Sequence, residues 1–232
     1  MPSDSLTRTL VAAEAVLFDF DGPLCDVFAG LPAPRVARDL CRLAAEHDPE
    51  LRAKLEGISD PLEVLRLTYD SDRSLSSRVE EALITAEIEA VQVAGSPTGG
   101  GVEAMVAVRR SGRPITVVTN NSPDCVRSFF DLHGLSYLVD DVVGRVFHRP
   151  DLMKPNPYAV LRAAEQLDLP SAACVLIGDS LTDIQAAHTA GGSAIGYANK
   201  PRKREAFAEA GAEAIIEDMG AIAHALGYDV KA

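Results

Sequence analysis

The stretch Ala15-Val16-Leu17-Phe18-Asp19-Phe20-Asp21-Gly22 decides how this chain is read. A short apolar run containing a β-branched residue reads as a buried strand. Strand side chains alternate, so Asp19 and Asp21 point the same way at its end. Two carboxylates side by side at the mouth of a buried strand repel each other and lose hydration. A fold tolerates that where a cation sits with them or where the acids do chemistry.

Two later runs end in a similar way. Ile115-Thr116-Val117-Val118 leads into Thr119-Asn120-Asn121, and Val175-Leu176-Ile177 leads into Gly178-Asp179-Ser180-Leu181-Thr182-Asp183. Asp179 closes its strand and Asp183 falls in the first turn of the helix that follows. The wider pattern predicts strands over Ala15–Phe20, Ile115–Thr119, Tyr137–Val143, Cys174–Gly178, Ala194–Tyr197 and Ala214–Ile216. Helical stretches at Val102–Arg110, Pro123–His133, Tyr158–Leu167 and Leu181–Ala190 lie between them. Alternating strand and helix predicts an α/β protein with a parallel sheet. Ligands of such sheets bind beyond the carboxyl ends of the strands. Asp19, Asp21, Thr119, Asp179 and Asp183 are therefore expected to share one crevice. Lys154, in the loop before Tyr158, is expected to bring positive charge to it.

One gap breaks the rhythm. About ninety-five residues separate Phe20 from Ile115, whereas a crossover helix needs only a dozen or so. The excess is helical in pattern, over Arg35–His47, Pro49–Glu56, Pro61–Thr68 and Leu75–Val93. The glycine-rich run from Gly95 to Gly101 reads as a hinge. The expected organisation is a core of residues 1–26 and 95–232, with a helical domain of residues 27–94 inserted.

The bulk numbers narrow the function. The 232 residues, 47% apolar and 24% charged, suit a globular domain or a core with a smaller partner. No run approaches a membrane span, and the first residues lack the apolar core of a secretory signal. Four scattered cysteines, without a C-x-x-C pair, suggest neither a zinc knuckle nor a disulfide framework. A reduced, cytoplasmic protein is expected. The net charge of −12 disfavours nucleic acid and anionic membranes as partners. Five lysines stand against seventeen arginines, so each lysine invites a question. Carboxylates gathered in one crevice call for a cation, and hard oxygen donors without a His or Cys cluster favour Mg²⁺. Acids, a hydroxyl and a lysine around Mg²⁺ suit phosphoryl transfer. Taken singly, each motif has a plainer reading as a turn, a strand end or a solvated charge; taken together and in order, they do not.

With these residues in place, the chain resembles the haloacid dehalogenase-like superfamily of phosphohydrolases. Asp19-Phe20-Asp21-Gly22 matches its first motif, with Asp26 at a nearby acidic position. Thr119 matches the second, Lys154 the third, and Gly178 to Asp183 the fourth. Gly101-Val102 resembles the pair at the cap's return. The resemblance implies a Rossmann-like parallel sheet core with an inserted α-helical C1 cap, of the phosphoglycolate-phosphatase-like kind. It implies that Asp19 is the nucleophile, Asp21 the acid and base, and Thr119, Asn120 (through nearby backbone amides) and Lys154 the phosphoryl contacts. Asp19, the Asp21 carbonyl and Asp179 would hold Mg²⁺, with Asp183 positioning that shell. Pro23 departs from the usual Thr or Val and is expected to alter the stiffness of the segment leading to the cap, without loss of chemistry.

Asp21 also bears on the branch. The superfamily's dehalogenases and phosphonate-cleaving members lack a second acid there, and the surroundings of Lys54 do not resemble the latter's cap lysine. The expected activity is Mg²⁺-dependent hydrolysis of a small phosphorylated metabolite by a monomer or small homo-oligomer. A phosphomutase and a non-catalytic binding protein of the same fold are the alternatives. In the cap, Arg35, Arg38 and Arg42 read first as a solvated helix face. Phe28 and Tyr69 either line the opening or fill the cap. Cys25, His148 and His188 read as structural.

Overall fold

Val16 and Phe18 pack on one side of a parallel sheet, and Ala15 and Leu17 on the other. The computed structural model describes residues 4–228. Its strands are β1 (Ala15–Phe18), β2 (Ile115–Val118), β3 (Asp141–Val143), β4 (Cys174–Gly178), β5 (Ser193–Tyr197) and β6 (Ala214–Ile216). Among the described residues they form one sheet of order β3-β2-β1-β4-β5-β6, with every pairing parallel. The fold is α/β, as the alternating pattern predicts. β1 is central, and Val16 pairs with Ile115 on one flank and Val175 on the other. The three strands carrying the polar ends are therefore neighbours.

Helices cover both faces. On the Phe18 side lie α1 (Asp4–Ala12), α6 (Gly101–Arg110), α7 (Pro123–His133) and α11 (Gly220–Ala225), contributing Leu10, Met105, Phe129 and Ile222. On the Leu17 side lie α8 (Tyr158–Gln166), α9 (Leu181–Thr189) and α10 (Lys203–Glu209), contributing Val160, Ile184 and Phe207. Each such fully buried side chain contributes roughly 1.5–3 kcal/mol. Among the described residues no helix is long and apolar enough to cross a membrane.

Between β1 and α6 the chain forms α2 (Ala33–His47), α3 (Leu51–Lys54), α4 (Pro61–Ser71) and α5 (Arg73–Gln92). They share their own apolar cluster, including Leu40, Leu65, Val79 and Leu83. Pro61 sits at the start of α4, and Asp60 caps it by accepting the Leu62 N–H at 2.9 Å. The foot of α5 differs, because Ala90 and Val91 pack into the main core.

Three expectations shift. The run Tyr137–Val143 is not one strand: Ser136–Leu138 is a 3₁₀ turn, and β3 starts only at Asp141. Gly134 ends α7 in the left-handed conformation (φ 65°), and the tight turn that follows buries Leu138. Pro49–Glu56 shrinks to the single turn α3, stopped before Gly57 at φ 79°. The glycine-rich run is pinned: Thr98 Oγ1 donates to the Gly22 carbonyl at 2.8 Å, and Thr98 N–H to that of Leu24 at 3.0 Å. A side chain on Gly101 would meet the Pro23 carbonyl at 2.7 Å, so the segment after the Asp pair and the return from the helical insert are built against each other.

Candidate active site

The sheet ladder ends where the chemistry begins. Asp19 N–H still donates to the Ile177 carbonyl at 2.8 Å, and Thr119 N–H to that of Val143 at 3.0 Å. Past Asp19 the Phe20 carbonyl accepts from both Leu24 and Cys25, a tight turn that Gly22 permits at φ 103°. A Cβ there would lie 2.5 Å from Asp179 Cγ, so the glycine leaves room for that carboxylate. Gly178 does the same for Asp183, whose carboxyl group occupies the space a side chain would take.

Asp19, Asp179 and Asp183 converge, with one oxygen from each lying within 4.8 Å of the others. Lys154 Nζ reaches between two of them, 2.8 Å from Asp19 Oδ1 and 2.5 Å from Asp183 Oδ1, and donates to the Val118 carbonyl at 3.0 Å. It is 2% exposed, a fully buried cation held by acids at the end of β1 and in the first turn of α9. Asp183 is fixed by a capping box at the start of α9: its Oδ2 accepts from Ser180 N–H at 2.9 Å and Ser180 O–H at 2.7 Å. Its Oδ1 has the lysine as ion partner but no well-aligned hydrogen bond among the described residues.

Asp21 sits at the edge of the same cavity, its Oδ1 accepting the Val27 N–H at 3.0 Å. Thr119 Oγ1 exchanges hydrogen bonds with Asn121, donating to Oδ1 at 3.1 Å and accepting from N–H at 3.2 Å. Asn120 lines the cavity, but its side chain is turned to the Lys154 backbone. It accepts Lys154 N–H at 2.7 Å and donates to the Lys154 carbonyl at 3.2 Å. Asp19, Asp21, Thr119, Asn120, Lys154 and Asp179 thus line one cavity of about 380 Å³ at the carboxyl ends of the strands, and Asp183, fully buried, stands behind that lining against Lys154. A larger hollow, of about 530 Å³, opens near Cys41 and Arg52 on the helical insert and holds none of these groups.

The electrostatics are unbalanced. Burial, with the charges of Asp183 and Asp179, pushes Asp19 above the ordinary carboxylate range against the pull of Lys154. Burial opposes the charge of Lys154, but Asp183 and Asp19 outweigh it, so the lysine stays an ammonium ion. Burial raises Asp21 to about 6, against the Val27 N–H, with Asp179 and Asp26 adding to the rise. The converging carboxylates of Asp19, Asp179 and Asp183, with no His or Cys among them, form a hard oxygen donor set that fits Mg²⁺.

Several residues beyond the sequence motifs complete the site. Lys203 Nζ lies 2.6 Å from both Oδ2 and the carbonyl oxygen of Asp179, and Asn199 Nδ2 donates to the same Oδ2 at 2.9 Å. The scarcity of lysine is the signal that could have reached Lys203. Arg66 of α4 enters the cavity from above. Behind the site Arg145 is sealed between Glu80 and Glu87 of α5, with ion pairs of 3.0 and 2.9 Å, and donates to the Asn120 carbonyl at 2.8 Å.

Other candidates fall outside. Arg35, Arg38 and Arg42 are exposed and away from the cavity, with Arg42 paired to Asp39 at 3.0 Å. Phe28 lines the cavity, whereas the Tyr69 hydroxyl donates to Asp151 at 3.0 Å in a separate hollow. His148 meets Ser77 at 2.8 Å and His188 meets Glu213 at 3.3 Å. Burial pushes the Cys25 thiol far up, away from a reactive thiolate.

These features define a class: an α/β protein with a carboxylate-and-lysine site at the carboxyl edge of its parallel sheet. The chain belongs to the haloacid dehalogenase-like hydrolase family, whose family model matches residues 13–191. It is 35% identical over 92 residues to a phosphoglycolate phosphatase of Photobacterium profundum, 39% of each chain. It is 28% identical over 190 residues to a phosphoglycolate phosphatase of Neisseria meningitidis, 79% of each chain. The chain therefore spans only about two fifths of the length of the first of these curated relatives. Among solved structures, CbbY of Rhodobacter sphaeroides in complex with phosphate superposes with a TM-score of 0.65 at 20% identity, covering 90% of this chain and 95% of that one.

Proposed function

We propose that the protein is a Mg²⁺-dependent phosphatase of small phosphorylated metabolites that works through an aspartyl-phosphate on Asp19. The observation that carries this reading is the convergence of Asp19, Asp179 and Asp183 around a buried Lys154. The phosphatases among its relatives support the same chemistry.

In this reading an Asp19 carboxylate oxygen attacks phosphorus, and the bond from phosphorus to the leaving oxygen breaks. Asp21, raised to about 6, gives its proton to that oxygen. It then takes a proton from water, whose oxygen attacks the phosphoryl group and frees the Asp19 carboxylate and inorganic phosphate. Lys154 offsets charge between nucleophile and phosphate. The Thr119 hydroxyl and the amides beside Asn120 supply phosphoryl donors once Thr119 turns from Asn121. Asp19, Asp179 and the Asp21 carbonyl would hold Mg²⁺, with Asp183 beside them, and the bound ion would neutralise phosphoryl charge. Residues 27–94 serve as the cap that shields the reaction from bulk water.

Hydrolysis of p-nitrophenyl phosphate tests this directly. The expected result is Mg²⁺-dependent release of phosphate that Asp19→Asn abolishes. Full activity in Asp19→Asn would sink the mechanism. Release of free phosphate, as opposed to an isomerised phosphate ester, separates hydrolysis from a mutase.

A further inference from the structure

The cations in and beside this cavity are not equally committed. Lys154 is spent on Asp19 and Asp183, and Lys203 on Asp179. Arg66 also lines the cavity, on the wall contributed by the helical insert. It makes no ion pair among the described residues, and its one hydrogen bond runs from Nη2 to the Lys154 carbonyl at 3.3 Å. A guanidinium carries five N–H donors in a planar fork suited to a carboxylate or phosphate. Most of that fork is uncommitted.

The acids near Arg66 form no ion pair with it among the described residues. Asp60, on the same cavity, caps α4 through the Leu62 N–H at 2.9 Å. On the outer side of Arg66, Asp151 takes Arg149 at 2.7 Å and the Tyr69 hydroxyl at 3.0 Å, and Asp70 makes no pair with it. The neighbouring cavity wall at Phe28, Ala33, Pro61 and Leu62 offers little that could answer the charge.

The position of Arg66 is referenced to the reacting end. Its anchor, the Lys154 carbonyl, is itself held by Asn120 Nδ2 at 3.2 Å, in the residue whose ammonium touches Asp19. A cavity of about 380 Å³ leaves room for only a compact molecule between the two.

We propose that Arg66 determines specificity by binding a second anionic group on the substrate, a carboxylate or a second phosphate, close to the phosphate that is cleaved. The proposal rests on the phosphatase reading above for the position of the cleaved phosphate. It also explains how a crevice rich in acids, in a chain of net charge −12, draws in a polyanion.

Two substrate pairs test it. The first is 2-phosphoglycolate against 2-hydroxyethyl phosphate, which replaces the carboxylate by a neutral alcohol. The second is propane-1,3-diol bisphosphate against its monophosphate. The wild-type protein is expected to favour the doubly anionic member of one pair roughly 10- to 100-fold in kcat/KM, the worth of a charge-assisted pair. Which pair responds identifies the second anion. In Arg66→Met the ratio is expected to collapse towards one, and Arg66→Lys should keep part of it. Reading a ratio makes the result independent of any general loss of activity. A wild-type protein without preference, or a preference intact in Arg66→Met, would overturn the proposal. The same ratios measured as binding to the Asp19→Asn protein in Mg²⁺ need no turnover. That binding preference, found together with a wild-type protein that hydrolyses none of these esters, would reject the phosphatase reading and keep the anion site.

Discussion

Two clusters of buried charge stand back to back behind the strand ends, and they are built on opposite plans. In the scaffold cluster every oxygen is used. Glu80 takes Arg145 on one oxygen and the His148 N–H on the other. Glu87 takes Arg145 and Asn121 on one, and Arg145 and the Ser122 N–H on the other. In the candidate active-site cluster two lysines serve Asp19, Asp183 and Asp179, Asp21 has no ion pair among the described residues, and burial pushes both Asp19 and Asp21 up. A satisfied network rigidifies; an unsatisfied one that opens on a cavity is poised to take a ligand. The first holds the Thr119–Ser122 loop to α5, and the second works on the face that loop presents.

The largest expected effect breaks the second plan. Asp19→Asn should lower kcat by about 10⁴-fold or more, the scale on which nucleophile deletions act. The same change removes a carboxylate that burial already disfavours, so the metal-free protein should melt no lower than wild type and preferably higher. Kinetics and thermal melts on one preparation check both halves. Loss of activity together with a large drop in melting temperature would mean that Asp19 belongs to the scaffold after all.

Breaking the first plan should invert that outcome. Arg145→Met strands two buried glutamates and releases the Asn120 carbonyl. The expected cost is about 3–5 kcal/mol of stability, as when one partner of a buried pair is removed. Denaturant titration measures it. Adding Glu80→Gln and Glu87→Gln should recover much of the loss, because the charges leave together.

The clusters also differ in how far the sequence announces them. β1, β2 and β4 are short apolar runs stopped by a polar residue, and that stop is local, so Asp19, Thr119, Asp179 and Asp183 can be found by eye. Lys154 carries a similarly local cue in the prolines around it. The scaffold cluster has no local cue. Arg145 meets glutamates 65 and 58 positions earlier, and on a helix Glu80 and Glu87 look like any surface acid until α5 is laid against α7. Tyr137 misleads for a related reason: apolar residues around it suggest a strand, but the left-handed Gly134 starts a turn first.

The pH dependence sharpens the contrast at smaller amplitude. The folded-state pKa of Asp21, about 6, lies above its unfolded value, and Asp19 moves in the same direction. Folding therefore favours the protonated acids. Their stabilisation is complete below about pH 4 and is lost as pH rises through the folded values. The metal-free protein should melt lower at pH 7.5 than at pH 5, with Asp21 contributing roughly 1–2 kcal/mol after allowance for its partial exposure. Saturating Mg²⁺ should narrow the gap, and Asp21→Asn should remove its own share while leaving that of Asp19. A metal-free profile that rises over this range would contradict the active-site plan.

The smallest effect concerns Lys203, which bears on the second cluster alone, at Asp179. Its ammonium lies 2.6 Å from Asp179 Oδ2, yet both side chains keep about a fifth of their surface in water. Solvent screens such a pair, so its removal should cost under about 1 kcal/mol of stability. Its electrostatic role is sharper. Lys203 lends positive charge to a carboxylate that would serve as a metal ligand, and so competes with a divalent cation for the same oxygen. Lys203→Met makes the donor set more negative, while Asn199 still holds Oδ2 at 2.9 Å and limits its drift. The Mg²⁺ concentration for half-maximal activity should therefore fall about threefold, with the melting temperature in Mg²⁺ rising slightly. If that concentration rises instead, orientation of Asp179 by Lys203 outweighs charge competition, and the lysine belongs to the satisfied scaffold and not to the open site.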